Sequence, residues 1–150
     1  MKKMKRTVLS WILVLAMILS GVALPQEQQV KAAGTSYDLS VSEGASPLTL
    51  AKNQWGDDYI ADILFQVPDV IADKSKVQAA KPVVQVTMKI NSISSDTGSI
   101  HAMLYAQDSS YNWNNSKAVD VSAGREITVS YDLSSMSWKE TTLAKLGIRF

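Results

Sequence analysis

The sequence predicts an all-β protein, an antiparallel two-sheet β-sandwich, and three observations point that way. After the first thirty or so residues, apolar and polar side chains alternate with the period of a half-buried strand. Turn chemistry separates the alternating runs. Only one short segment carries a clear helical pattern. Several strands with turn signals between them and little helix are the signature of a sandwich, and a jelly roll is the topology expected within that class.

The elements follow in order. YIADILFQV is apolar on one side through Tyr59, Ala61, Ile63, Phe65 and Val67, and a VPD corner ends it. VIADKSKVQAA is the helical candidate. PVVQVTMKI sets Val84, Val86, Met88 and Ile90 against Gln85, Thr87 and Lys89. SIHAMLYAQD sets Ile100, Ala102, Leu104 and Ala106 against His101, Met103, Tyr105 and Gln107. REITVSYDL puts Ile127, Val129, Tyr131 and Leu133 on one face. SSMSWKETTLAKL is a second place for a helical turn. LGIRF places Leu146, Ile148 and Phe150 together with Arg149 opposite. SSDTGS, SSYNWNNS and SAGRE are the turns. The pattern stops inside LGIRF, where another strand would normally cover an edge. The pattern suits either a complete but open-edged domain or a fragment, and the fragment is the expectation: a missing last strand in a chain that is the C-terminally truncated front of something longer.

The first 32 residues stand apart. MKKMKR is a basic start, TVLSWILVLAMILSGVAL an apolar run, and PQEQQVKAAG a polar stretch closing on small residues. This is the layout of a secretory signal peptide, with cleavage expected after Ala32 and with Ala33 or Ala23 as alternatives. The run is close to the roughly 18 residues of a spanning segment, but its serines, its glycine and Pro25 favour a cleaved leader over an anchor. The whole chain is +1, from 15 basic and 14 acidic residues. The leader holds five of the basic and one of the acidic residues, leaving residues 33–150 at −3. A mildly acidic domain without a basic run is a poor nucleic-acid binder. No second hydrophobic span follows, so the expected product is extracellular and free of membrane once the leader is removed. The absence of cysteine excludes both a disulfide framework and a lipid-modified N-terminal cysteine.

Few residues suit catalysis. The one histidine, His101, would have to serve any Ser-His-Asp arrangement, and it lies mid-strand, where a solvated strand histidine is the plainer reading. With one histidine and no cysteine, a zinc site of the common types is not expected. Asp57, Asp58, Asp62, Glu126 and Glu140 offer carboxylates for a small glycosidase, the second alternative, but nothing marks any of them as buried or paired. A structural calcium held by Asp57, Asp58 and Asn53 in NQWGDDY competes with a solvated acidic turn; EF-hand spacing is absent.

The aromatic residues say more. Phe65 and Tyr131 fall on apolar faces, and Trp138 suits a cap on the sandwich. Tyr105 falls on the polar face with His101, Met103 and Gln107, while Trp55, Tyr111 and Trp113 sit in polar segments at strand ends. Trp113 stands between Asn112 and Asn114, where folding alone gives it little reason to be. Rings beside amides and hydroxyls suit a sugar, whose C–H face stacks on an aromatic plane while its hydroxyls need donors and acceptors. The competing reading makes Trp113 a loop anchor folded back over a sheet edge.

NQWGDDYIADILFQVPD, MKINSI, MLYAQDSSYNWN, ITVSYDLSSM and LAKLGIRF together resemble the non-catalytic carbohydrate-binding modules of secreted bacterial plant-wall hydrolases such as cellulases and mannanases. The resemblance covers residues 36–150 and rests on strand-and-aromatic texture. It implies a jelly roll without activity of its own that binds polysaccharide, often with a structural calcium, and that accompanies a catalytic domain. It also implies ligand-facing positions at His101, Tyr105, Gln107 and Arg149, flanked by Trp113, Trp55 and Tyr111. A cell-surface domain with a protein partner, pairing through an open edge near Phe150, is the alternative from another class.

Overall fold

In the computed structural model the described residues are 27–32, 35–44, 48–52, 54, 59–93 and 100–150. They form an all-β sandwich of two antiparallel sheets, as the alternation predicts. Twelve strands are described: β1 (Glu27–Ala32), β2 (Thr35–Asp38), β3 (Val41–Glu43), β4 (Ala51–Lys52), β5 (Tyr59–Ile60), β6 (Asp62–Phe65), β7 (Val83–Lys89), β8 (Ile100–Asp108), β9 (Trp113–Asn115), β10 (Val119–Val121), β11 (Glu126–Asp132) and β12 (Leu143–Arg149). One sheet runs β11-β7-β1-β2. The other runs β10-β8-β12-β6-β3, with β9 also paired to β8, and β4 and β5 form a small ribbon.

The core lies where alternation puts it. Val84, Val86 and Met88 of β7 and Ile127, Val129 and Tyr131 of β11 face Ala102, Leu104 and Ala106 of β8 and Leu146 and Ile148 of β12, all buried. Register keeps each set on one face: Ile127 stands opposite Met88, and Ile148 opposite Leu104. Val30 of β1, in the segment that the sequence reading assigns to the leader, is fully buried among them. Residues 1–26 lie outside the described residues.

VIADKSKVQAA divides into a 3-10 turn (Asp69–Ile71) and helix α1 (Lys74–Ala80). The Asp73 side chain caps α1, Oδ1 accepting from Lys76 N at 2.9 Å, and Lys81 ends it in the left-handed conformation just before Pro82. Ile71, Val77 and Leu133 are fully buried.

Three expectations need correction. LGIRF is no edge: β12 lies between β8 and β6, and Phe150 exchanges backbone hydrogen bonds with Ala61. The Phe150 edge that the protein-partner alternative requires is therefore occupied. The second helical turn is only the 3-10 segment Leu133–Ser135, and LAKL belongs to β12, where a register shift between Leu143 and Lys145 disguises the alternation. Tyr59 is 62 % exposed although its strand pattern assigned it to the apolar side. No helix among the described residues is long and apolar enough to cross a membrane.

Candidate functional site

The outer face of the β8–β12–β6 sheet carries the groups that the sequence singles out. On β8, alternation turns His101, Met103, Tyr105 and Gln107 outward, opposite the buried Ala102, Leu104 and Ala106. One edge of β8 pairs with β12 across residues 103–108, and its other edge is shared by β10 at the start and β9 at the end. Trp113 lies opposite Gln107 and Asn115 opposite Tyr105. Cross-strand partners share a face, so β9 brings the Trp113 ring onto the same surface as Tyr105.

Tyr105 and Trp113 stack with centroids 4.1 Å apart and planes 15° from parallel. The Arg149 guanidinium carbon lies 4.4 Å from the Trp113 centroid and 5.3 Å from that of Tyr105. A cation on the far face of Trp113 would stand much farther from Tyr105, so Arg149 flanks the stack rather than capping it. Arg149 Nε and Nη2 donate to Asp62 Oδ1 and Oδ2 at 2.7 and 2.6 Å, a bidentate pair across neighbouring strands. That pairing holds Arg149 charged, raising its pKa despite partial burial.

The structure corrects the placement of Tyr105. It faces outward as its position in β8 dictates, yet it is only 2 % exposed because Trp113 covers it. Burial, followed by the negative charge of Asp62, pushes its hydroxyl well above the ordinary phenol range. Tyr105 is thus the foundation of the platform and the partly buried Trp113 its upper layer. Trp113 also belongs to a strand rather than a loop, and it does fold back over the sheet as the anchor reading supposed. Its indole Nε1 donates to Asn115 Oδ1 at 3.0 Å, which fixes the ring's rotation.

The remaining candidates spread out from this centre. Gln107 is partly buried beside Trp113. His101 is exposed at the far end of β8, its Nδ1 2.8 Å from Asp120 Oδ1 on β10. Tyr111, at the β8–β9 turn, is 76 % exposed with φ +61°. Trp55, with the calcium candidates Asn53, Asp57 and Asp58, lies outside the described residues. Among the described residues no three metal-ligating side chains cluster. Of the carboxylates offered for a glycosidase, Asp62 is committed to Arg149, and Glu126 lies on the opposite sheet.

Sequence reasoning missed three contributors. Asp62 had weight only as a generic carboxylate. Asp108, last in β8, is fully buried and unannounced by its surroundings. Gly147, mid-strand in β12, lets the Tyr105 ring lie against the backbone: a Cβ there would come within 2.9 Å of both Ile63 O and Tyr105 Cε1. A glycine inside an alternating run was the one available signal of a close approach.

A family model described as "Mannanase, galactose-binding domain-like" matches residues 69–150, more than half of the chain. The match contains Tyr105, Trp113 and Arg149. Comparison with curated proteins and with solved structures finds no match.

Proposed function

The chain belongs to the mannanase galactose-binding-like family, a non-catalytic, carbohydrate-binding-like domain of bacterial mannanases, and we propose that it binds β-linked plant cell-wall polysaccharide, mannan or glucan. It acts as the targeting module of a secreted glycoside hydrolase, exported by its N-terminal leader and working beside a catalytic domain. The observation that carries this reading is the partly buried Trp113 ring, stacked on Tyr105 and flanked by Arg149. A pyranose presents an apolar C–H face to the ring, for about 0.5–1.5 kcal/mol beyond the area buried. Gln107, the cross-strand partner of Trp113, supplies an amide for its hydroxyls. Because the ring is already held, little side-chain freedom is lost on binding.

The test is affinity electrophoresis of the protein and of Trp113→Ala through gels containing mannan, glucan or xylan, with circular dichroism establishing that both are folded. Retardation in mannan or glucan that the variant loses supports the reading and names the ligand. Free migration of the folded protein in every gel overturns it.

A further inference from the structure

We infer that Asp108 is the positioning residue of the aromatic platform, a buried carboxylate that clasps the β8–β9 turn to the loop at residues 137–140 and so holds Trp113 over Tyr105. The inference rests on the ligand role proposed above for Trp113. Asp108 has no exposed surface, and among the described residues no cationic side chain hydrogen-bonds to it. A carboxylate removed from water needs compensation for its lost hydration. Here five donors supply it. Oδ1 accepts from Ser110 N at 3.0 Å, Ser110 Oγ at 2.8 Å and Asn112 N at 3.1 Å. Oδ2 accepts from Lys139 N at 2.7 Å and Glu140 N at 3.0 Å. One side chain therefore ties together two segments that are distant in sequence, and one of its bonds ends at the residue immediately before Trp113.

A second clasp runs in parallel. Asn112 Nδ2 and Asn114 Nδ2 both donate to Ser137 O, and Asn114 Oδ1 accepts from Ser137 N at 2.9 Å. The two asparagines that flank Trp113 are thus turned to the neighbouring loop rather than to solvent. This explains why a tryptophan stands between them: they fix the backbone on either side of the ring. The cost is visible at Tyr111, a bulky non-glycine residue held at φ +61° as the turn closes through its N–H to Asp108 O at 3.0 Å. That strain persists because the clasp over-determines the turn. Its return is a ring that is already in place when ligand arrives.

Asp108→Asn and Asn114→Ala test this. An amide at position 108 cannot accept from both sets of donors, so one segment is released; Asn114→Ala loosens the same loop without touching Asp108. Two readouts separate positioning from plain stability. One is binding to a soluble β-1,4-mannan oligosaccharide, measured on folded protein well below its unfolding midpoint. The other is the Trp113 contribution to near-ultraviolet circular dichroism, taken as the difference between each protein and its Trp113→Ala counterpart. Both variants are expected to bind about tenfold more weakly or worse and to lose much of the Trp113 signal while keeping native far-ultraviolet dichroism. Folded variants that bind as tightly as the parent, with the signal intact, overturn the inference. If Asp108→Asn does not fold, Ser110→Ala, which removes a side-chain donor to the Asp108 carboxylate, decides by the same two readouts. If the parent protein binds no polysaccharide, the proposed function fails, and an unchanged Trp113 signal in the variants would sink the positioning role separately.

Discussion

At the scale of single residues, the platform depends on one missing methyl group. Gly147 faces Tyr105 across the β8–β12 pairing, and an added Cβ would meet Ile63 O, Tyr105 Cε1 and, at 3.0 Å, Leu64 Cδ2. The leucine tip can rotate away, but the backbone oxygen cannot without disturbing β6. Gly147→Ala should therefore cost about 1–3 kcal/mol by overpacking, read as a lower midpoint in urea unfolding; an unchanged midpoint would mean that the ring does not rest on β12. Asp62 has a different dependence. Asp62→Ala leaves a partly buried guanidinium without its bidentate acceptor, a loss of about 1.5–3 kcal/mol for hydrogen bonds to a charged group. The same change should lower the pKa of the Tyr105 hydroxyl. Burial, the larger cause, stays, but the neighbouring carboxylate that also disfavours the phenolate is gone. Ultraviolet titration of tyrosinate in the folded variant checks it, and a Tyr105 titration unmoved by the change would show that Asp62 has no hold on that hydroxyl.

At the scale of elements, the Asp108 clasp has a pH signature. Burial alone would raise the Asp108 pKa, but the hydrogen bonds from Glu140, Lys139, Ser110 and Asn112 outweigh it and hold the carboxyl well below the usual carboxylate range. An unfolded aspartate titrates near about 3.9. With the folded pKa depressed, the stabilisation is present above the unfolded value and is lost as pH falls below it. Asp73, the cap of α1, is also lowered, first by its bond from the Ser75 hydroxyl, and acts with the same sign. The protein's urea midpoint should thus drop on going from about pH 5 to about pH 3, and the drop should be shallower in Asp108→Asn. Parallel curves would assign the slope to Asp73 and other carboxylates instead. The elements also show what was legible beforehand. β7 and β11 were readable because each buries one face only, so Val84, Val86 and Met88 declare themselves by period two, and β8 was readable because its outer face, covered at Tyr105 by Trp113, still carries polar residues at His101 and Gln107. β9 was not readable: Trp-Asn-Asn is too short to alternate, and its strand state comes from pairing with β8 and from the Ser137 clasp. The start of β12 was hidden because the shift between Leu143 and Lys145 breaks the very period used to find strands.

At the scale of the whole molecule, the site was half legible for a related reason. Sequence brought Tyr105, Trp113, Gln107 and Arg149 under suspicion individually, and the structure gathers all four on one sheet face. What it could not convey is which ring covers which, because that order depends on β9 returning along β8 and on Gly147 admitting the lower ring, both non-local facts. The two sheets also divide the labour. The platform belongs to the sheet of β8, β12 and β6, whereas β1 completes the other one, lying between β7 and β2 with register from Glu27–Thr87 to Lys31–Val83 along β7. A chain beginning at Gly34 lacks β1, opens the β7 edge, strips β2 of its described partner and removes Val30 from the core. Burial of a valine side chain is worth about 1.5–3 kcal/mol, so this shorter chain should unfold at clearly lower urea than one beginning at Leu24. Its affinity for mannan, measured where both chains are folded, should stay the same, since no strand of the platform sheet pairs with β1. Equal unfolding midpoints would show that β1 adds nothing to the sandwich, and weaker binding by the shorter but folded chain would show that the two sheets are coupled more tightly than their pairing implies.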